Sequence, residues 1–349
     1  MQSFDELVRI CSQATTHDEA CEWAKYLAQL EGCHVYSTAT QRDNEEGWHA
    51  ARAKGIGGSD IAAIMGESTW KSPYDIWLSK TGQLPPAESN IQSEPARWGN
   101  LLEDTIAYEW AKRNNKQIIK IPITLQSDKY SFMLANIDGF VLSDDGARVE
   151  GILEIKTTSL HNKATWETGP LPYYYICQAT WYTMITNLPA FDIVCLVGGQ
   201  YMYSYHIPKD PDLCERMTKA AYDFWTVNVG NLVEPKATAV DIARFQSADI
   251  ATEAEEEPCV DESDSTNNVL VAYVELRDKI SALEKIKANL AAEIWQALNH
   301  KTVMLTKSNV VKVTRTTRRS CDIDALQRDF PEAYDATVRH TVSQSLSIR

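Results

Sequence analysis

Apolar and polar residues alternate most cleanly in the middle of the chain. In Gly151–Ser159 (GILEIKTTS), Leu153 and Ile155 interleave with Glu154 and Lys156, so oily and charged side chains fall on opposite faces of a predicted strand. Glu154 and Lys156, two residues apart, point the same way. Upstream, Ala135–Leu142 (ANIDGFVL) sets an Asp138-Gly139 turn before an apolar run, and Ser143–Gly146 (SDDG) supplies a second turn. The pattern predicts a hairpin with Asp138 at the start of one strand and Glu154 within its partner. Residues Gln117–Leu125 and Phe132–Asn136 are β-like and lead into it, and Phe191–Val197 and Tyr201–Ile207, joined by Gly198-Gly199-Gln200, form a further hairpin.

Helical spacing dominates elsewhere. Residues 1 to about 44 read as helical, with Phe4, Leu7, Val8 and Cys11 on one face and Ala20, Trp23, Ala24, Leu27 and Leu30 on another. In Trp48–Gly66 (WHAARAKGIGGSDIAAIMG), Ser59 reads as the N-cap of a helix Asp60–Met65 closed by Gly66. The next helix has Pro73 at its first position and Gly82 past its end, and the following stretch from Leu84 reads as a loop. A long helix opens at Arg97–Asp104 (RWGNLLED) and runs to about Asn114; another covers Pro172–Ile185, and residues 209–230 make a closing helix.

The chain changes character after about residue 235. Glu253–Asp264 holds seven acids and no bases and reads as a solvated linker. Residues 269–299 form a long amphipathic helix with Leu276, Leu283 and Leu290 seven apart, either a short coiled coil or, as preferred here, a helix folded back on the core. Lys301–Arg319 carries six bases and no acids through two β-like runs, a hairpin that either contacts nucleic acid or is simply solvated. The expected organisation is an arm at 1–44, a core at 45–235, a linker at 236–268 and an extension at 269–349.

Composition narrows the class. At 349 residues, with 44% hydrophobic and 23% charged residues, the chain can bury a large core. No apolar run is long enough to span a bilayer, and the N-terminal residues lack a secretion signal, so a cytoplasmic location is expected. Eight scattered cysteines without a Cys-x-x-Cys pair argue for buried thiols in a reducing compartment. A net charge of −14 requires any nucleic-acid surface to be a local basic groove.

Two carboxylates and an ammonium converging on one sheet edge can hold a hard divalent cation and activate a water beside it. Taken alone, a Glu-x-Lys on a strand is usually a solvated face with a weak ion pair. Glu103 sits among apolar residues, so it is either solvated at a groove or helps to hold that cation. The glycines before Ser59, with Arg52 and Lys54 nearby, suit either a phosphate site or a capped turn.

The ordered set of Arg52, Ser59, Trp98-Gly99 with Glu103, Asp138-Gly139, Glu154-Ile155-Lys156 and Gln178 resembles the lambda-type phage exonucleases, or YqaJ-type viral recombinase nucleases. The strings GIGGSDIAAIMG and LEIKTTS carry most of the resemblance, which covers residues 48 to about 230. One departure is Ile137, where the PD-(D/E)XK motif has the proline that names it. The resemblance implies an α/β fold of the PD-(D/E)XK restriction-endonuclease-like type, a central mixed β-sheet flanked by helices. It implies hydrolysis of double-stranded DNA from the 5′ end with Mg²⁺, Mn²⁺ substituting, by a homotrimer in a bacterial host cell, partnered by a single-strand annealing recombination protein. It assigns the metal to Asp138, Glu154, the Ile155 carbonyl and Glu103, catalysis also to Lys156 and Gln178, and the terminal phosphate to Arg52 and Ser59. The rivals are an endonuclease of the same superfamily and a catalytically silent DNA-binding or partner-recruiting protein.

Overall fold

The computed structural model describes residues 2–83, 93–242, 246, 263–317 and 320–339. They fall into two compact units, Met1–Ile242 and Ala243–Arg349. The loop expected from Leu84 and most of the acidic linker lie outside the described residues.

The first unit is built on a five-stranded mixed sheet. Its strands are β2 (Gln117–Ile119), β5 (Gly139–Leu142), β6 (Val149–Thr158), β7 (Ala190–Val197) and β8 (Tyr201–Pro208), in the spatial order β2-β5-β6-β7-β8. The predicted hairpin is present: β5 and β6 pair antiparallel with Gly139 opposite Leu153, which sets Asp138 just ahead of its strand and beside the middle of β6. β6 and β7 are parallel. That geometry needs a crossover, and it is supplied by α7 (Lys163–Glu167) and α8 (Tyr173–Thr186). The Gly198–Gln200 turn closes the β7–β8 hairpin, with both glycines at positive φ.

Helices cover both faces of β6. On one, α6 (Glu94–Asn114) brings Ile106, Ala107 and Trp110 against Leu153, Ile155 and Val194. On the other, α8 is buried along most of its length and shares the larger core with Ile152, Phe191 and Ile193. A strand covered on both sides has no solvated face, so Glu154 is fully buried. This differs from the alternation of the sequence, which gives β6 one oily and one charged face.

Three local expectations change. The N-terminal helices are α1 (Phe4–Cys11) and α2 (His17–Leu27), but Cys33–Ser37 form β1 rather than more helix. Gly32, at φ 81°, lets the chain turn out of the helical region into that strand. β1 pairs with β3 (Thr124–Ser127), which pairs with β4 (Leu134–Ala135), giving a separate three-stranded sheet. The single β-like run Gln117–Leu125 thus splits between two sheets around Pro122, which has no N–H for a ladder. The closing helix α9 (Pro211–Asp223) passes into a π-turn over Phe224–Val229.

In the second unit a helix runs from Asp264 to Leu298, followed by a short hairpin of Val303–Leu305 with Val310–Lys312 and two short helices. Leu276, Ile280, Leu283, Leu290 and Ile294 are all exposed, so the apolar stripe has no cover among the described residues of this unit. No helix of the described residues is long and apolar enough to cross a membrane.

Candidate active site

The centre of the site is the start of β5 and the middle of β6. Asp138 Oδ2 accepts the Ile155 amide at 2.8 Å, which fixes its carboxylate over the strand next to Glu154. Lys156 forms an ion pair with Glu154 through Oε1, and its ammonium lies 5.2 Å from the ring centre of Tyr175. Glu154 Oε2 is buried with no hydrogen-bond partner. A bare carboxylate oxygen in a low-dielectric interior is costly unless a cation, a proton or a hydrogen-bond donor meets it.

The field around this cluster is negative. Burial, then the charge on Glu154, pushes the Asp138 carboxyl well above the usual range; burial raises Glu154 as well, with Lys156 only partly opposing it. Burial alone would lower the Lys156 ammonium, but Glu154 and Asp138 outweigh it and hold it above the usual lysine range. Lys156 is therefore an ammonium here.

Glu103, on α6, lies at the junction of two clefts that also share Asp138. One, of about 500 Å³, is lined by Arg42, Trp48 and Lys120; the other, of about 760 Å³, by Trp70, Lys156 and Thr157. Glu103 is ion-paired to Lys120, which also binds Asp104. Its charge still raises both Asp138 and Glu154. Among the described residues no three His, Cys, Asp or Glu side chains are gathered as a ready metal cage. What fits a hard cation is narrower: the fully buried Glu154 with its orphaned oxygen, the half-buried Asp138 beside it, and Glu103 lining the same cleft as Asp138.

Beside α8 lies a second cluster, carried by α3 (Glu45–Ala53) and α4 (Gly58–Ile64). Arg52 Nη2 donates to Ser59 Oγ at 2.8 Å, and its guanidinium sits 4.8 Å from the Trp48 ring centre. Ser59 is not the cap of its helix. Asp60 accepts the Gly57 amide at 3.0 Å, so α4 starts at Gly58 with Gly57 as N-cap, and the Ser59 hydroxyl is left to face Arg52. Asp60 also forms an ion pair with Lys80, the last residue of α5 (Pro73–Lys80), at 2.8 Å.

Gln178, on α8, donates to the Tyr182 hydroxyl at 3.3 Å. Burial, then Glu154 and Asp138, push the Tyr182 phenol above its usual value, while Lys156 and Arg52 act the other way. That hydroxyl thus feels both clusters at once. The ring packs so closely on α4 that a Cβ at Gly58 would come within 2.5 Å of Tyr182 Cε1, a contact only glycine permits there. Tyr182 falls in an aromatic-rich stretch of the helix expected over Pro172–Ile185, and neither it, Asp60 nor Lys80 stands out in the sequence as a site residue. An Asp three residues past Gly57 is a capping signal that could have flagged Asp60. No sequence signal joins it to Lys80.

Residues 47–189 match the family model of the YqaJ-like viral recombinase domain. The chain is 29% identical over 305 residues to the uncharacterized protein YqaJ of Bacillus subtilis (strain 168), covering 86% of this chain and 93% of that protein. Among solved structures it is similar to an alkaline exonuclease from Laribacter hongkongensis, with 17% identity, a TM-score of 0.43, and coverage of 54% of this chain and 95% of that one. It is also similar to a phage-related exonuclease from Haemophilus somnus 129PT, with 12% identity, a TM-score of 0.33, and coverage of 51% and 96%.

Proposed function

On the match of residues 47–189 to the YqaJ-like viral recombinase domain, we propose that this chain is a metal-dependent deoxyribonuclease that digests double-stranded DNA from its 5′ ends. The observation that carries the reading is the Asp138–Glu154 pair with its buried, unpartnered Glu154 oxygen, beside an ammonium and, through Tyr182, the bonded Arg52–Ser59 pair.

Asp138 and Glu154 would hold Mg²⁺, with the Ile155 carbonyl and Glu103 completing the set, and Mn²⁺ would substitute. Bound there, the ion supplies Lewis-acid activation of a water and of the scissile phosphate. Lys156 orients the attacking water and offsets negative charge as it builds on the phosphate, a role suited to a group that stays protonated. Arg52 and Ser59 hold the terminal 5′-phosphate, which carries more charge and more acceptor oxygens than an internal diester. Gln178, braced by Tyr182, holds the nucleophile or the substrate backbone. Digestion in this sense exposes 3′ single strands for phage-type recombination, to be taken up by a single-strand annealing partner. Three copies closing a ring around DNA would make digestion processive.

The test is digestion of linear duplexes labelled at the 5′ or the 3′ end, with a covalently closed circle and EDTA as controls. The proposal expects Mg²⁺-dependent release of 5′ label, an intact circle and no reaction in EDTA. Cleavage of the circle would mean an endonuclease. No cleavage under any metal would leave only a DNA-binding protein.

A further inference from the structure

The ion pair of Lys80 and Asp60 has no part in the chemistry above, yet it is almost sealed from solvent. The two side chains are 5% and 6% exposed, which rules out direct contact with a DNA end. Each makes a second bond. Lys80 Nζ donates to the Arg52 carbonyl at 2.9 Å, in the last turn of α3, and Asp60 Oδ2 accepts the Gly57 amide at 3.0 Å, at the start of α4. The pair therefore ties the helix that carries Arg52 to the helix that carries Ser59. A Cβ placed on Gly57 would be 3.5 Å from Arg52 Nη2 and 3.6 Å from Asp60 Oδ2, so carboxylate and guanidinium both lie beside that one backbone position.

Charge adds a second reason for the pair. Asp60 lies close enough to Arg52 to feel its charge, and an uncompensated carboxylate there would cancel the positive field an anion needs. Lys80 neutralises Asp60, which leaves the cluster with the one positive charge of Arg52.

We propose that Lys80 and Asp60 are positioning residues for the Arg52–Ser59 pocket: they fix the spacing of its two donors and preserve its positive charge. The inference rests on the reading of that pocket as the seat of a terminal 5′-phosphate.

Lys80→Met removes the ammonium at similar length but strands a buried carboxylate, which can cost folding stability in itself. The double variant Lys80→Met/Asp60→Asn removes both charges, keeps an acceptor oxygen near Gly57, and serves as the folded control. The measurement is kcat/KM on 5′-phosphorylated over 5′-hydroxyl duplex ends at fixed salt, together with anisotropy binding of both duplexes in EDTA. The expected result is a fall in the wild-type ratio of about tenfold for Lys80→Met and about threefold for the double variant. The loss should lie in KM and be mirrored in metal-free binding. A folded double variant that keeps the wild-type ratio overturns the inference and leaves the 5′-phosphate reading standing. A wild type that digests DNA with no preference for phosphorylated ends overturns the pocket reading, and this inference with it.

Discussion

Two charge clusters act on the Tyr182 hydroxyl of α8, and they are unbalanced in opposite directions. Asp138, Glu154 and Lys156 have formal charges summing to −1, with one carboxylate oxygen left unpartnered. Arg52, Lys80 and Asp60 sum to +1, with Asp60 Oδ2 taken by both Lys80 and the Gly57 amide. The first cluster keeps an acceptor free in a negative field, which suits a cation. The second satisfies its acid and leaves the arginine to a serine hydroxyl and an aromatic face, which suits an anion. Cleaving a phosphodiester at a DNA end needs both.

The contrast is broken most severely at the carboxylates. Asp138→Asn and Glu154→Gln each remove a charge with little change in volume, and each should lower metal-dependent cleavage at least a thousandfold, about 4 kcal/mol. Circular dichroism should stay unchanged. Near-normal rates in either variant would remove the metal assignment.

Lys156→Ala comes next, with a fall in kcat of about a hundredfold and DNA affinity nearly intact, because its interactions grow in the transition state. A loss confined to binding would make it an ordinary phosphate contact. On the anion side, Arg52→Ala should erase about thirty- to a hundredfold of the preference for 5′-phosphorylated ends, about 2–3 kcal/mol, without altering metal affinity. Equal weakening on phosphorylated and hydroxyl ends would reduce Arg52 to a general backbone contact.

The smallest effect is on stability. Asp138 and Glu154 both have raised carboxyl pKa values, caused first by burial. The folded chain therefore keeps protons that the unfolded chain has already lost. Metal-free stability should fall as pH rises from the ordinary carboxylate range up through the raised folded values. Glu154→Gln should flatten that fall in a thermal-melting series, and a slope equal to wild type would contradict the assigned burial cost.

The hairpin that builds the negative cluster was legible because two turns and a period-two alternation bracket Asp138 and Glu154. The closeness of Arg52 and Ser59 was legible from the Gly57-Gly58 step. Burial of Glu154 was not, since alternation cannot tell water from the face of α8. The role of Ser59 was misread as a cap because Asp60, one residue on, takes the capping bond itself. β1 is five residues long, too short for its period to separate it from the helices before it. Lys80 reads as a helix-terminal lysine, and only the tertiary fold brings it twenty residues back to Asp60. Tyr182 is hidden for a related reason: in a segment where nearly every position is aromatic or apolar, nothing marks the one hydroxyl that feels both clusters.

The most direct test of the central claim is titration calorimetry of Mg²⁺ or Mn²⁺ into the DNA-free protein, wild type against Glu154→Gln. Saturable binding by the wild type and its loss in the variant, with the fold intact, is the expected result. Equal binding by both would show that the unpartnered oxygen of Glu154 is not what the cation meets.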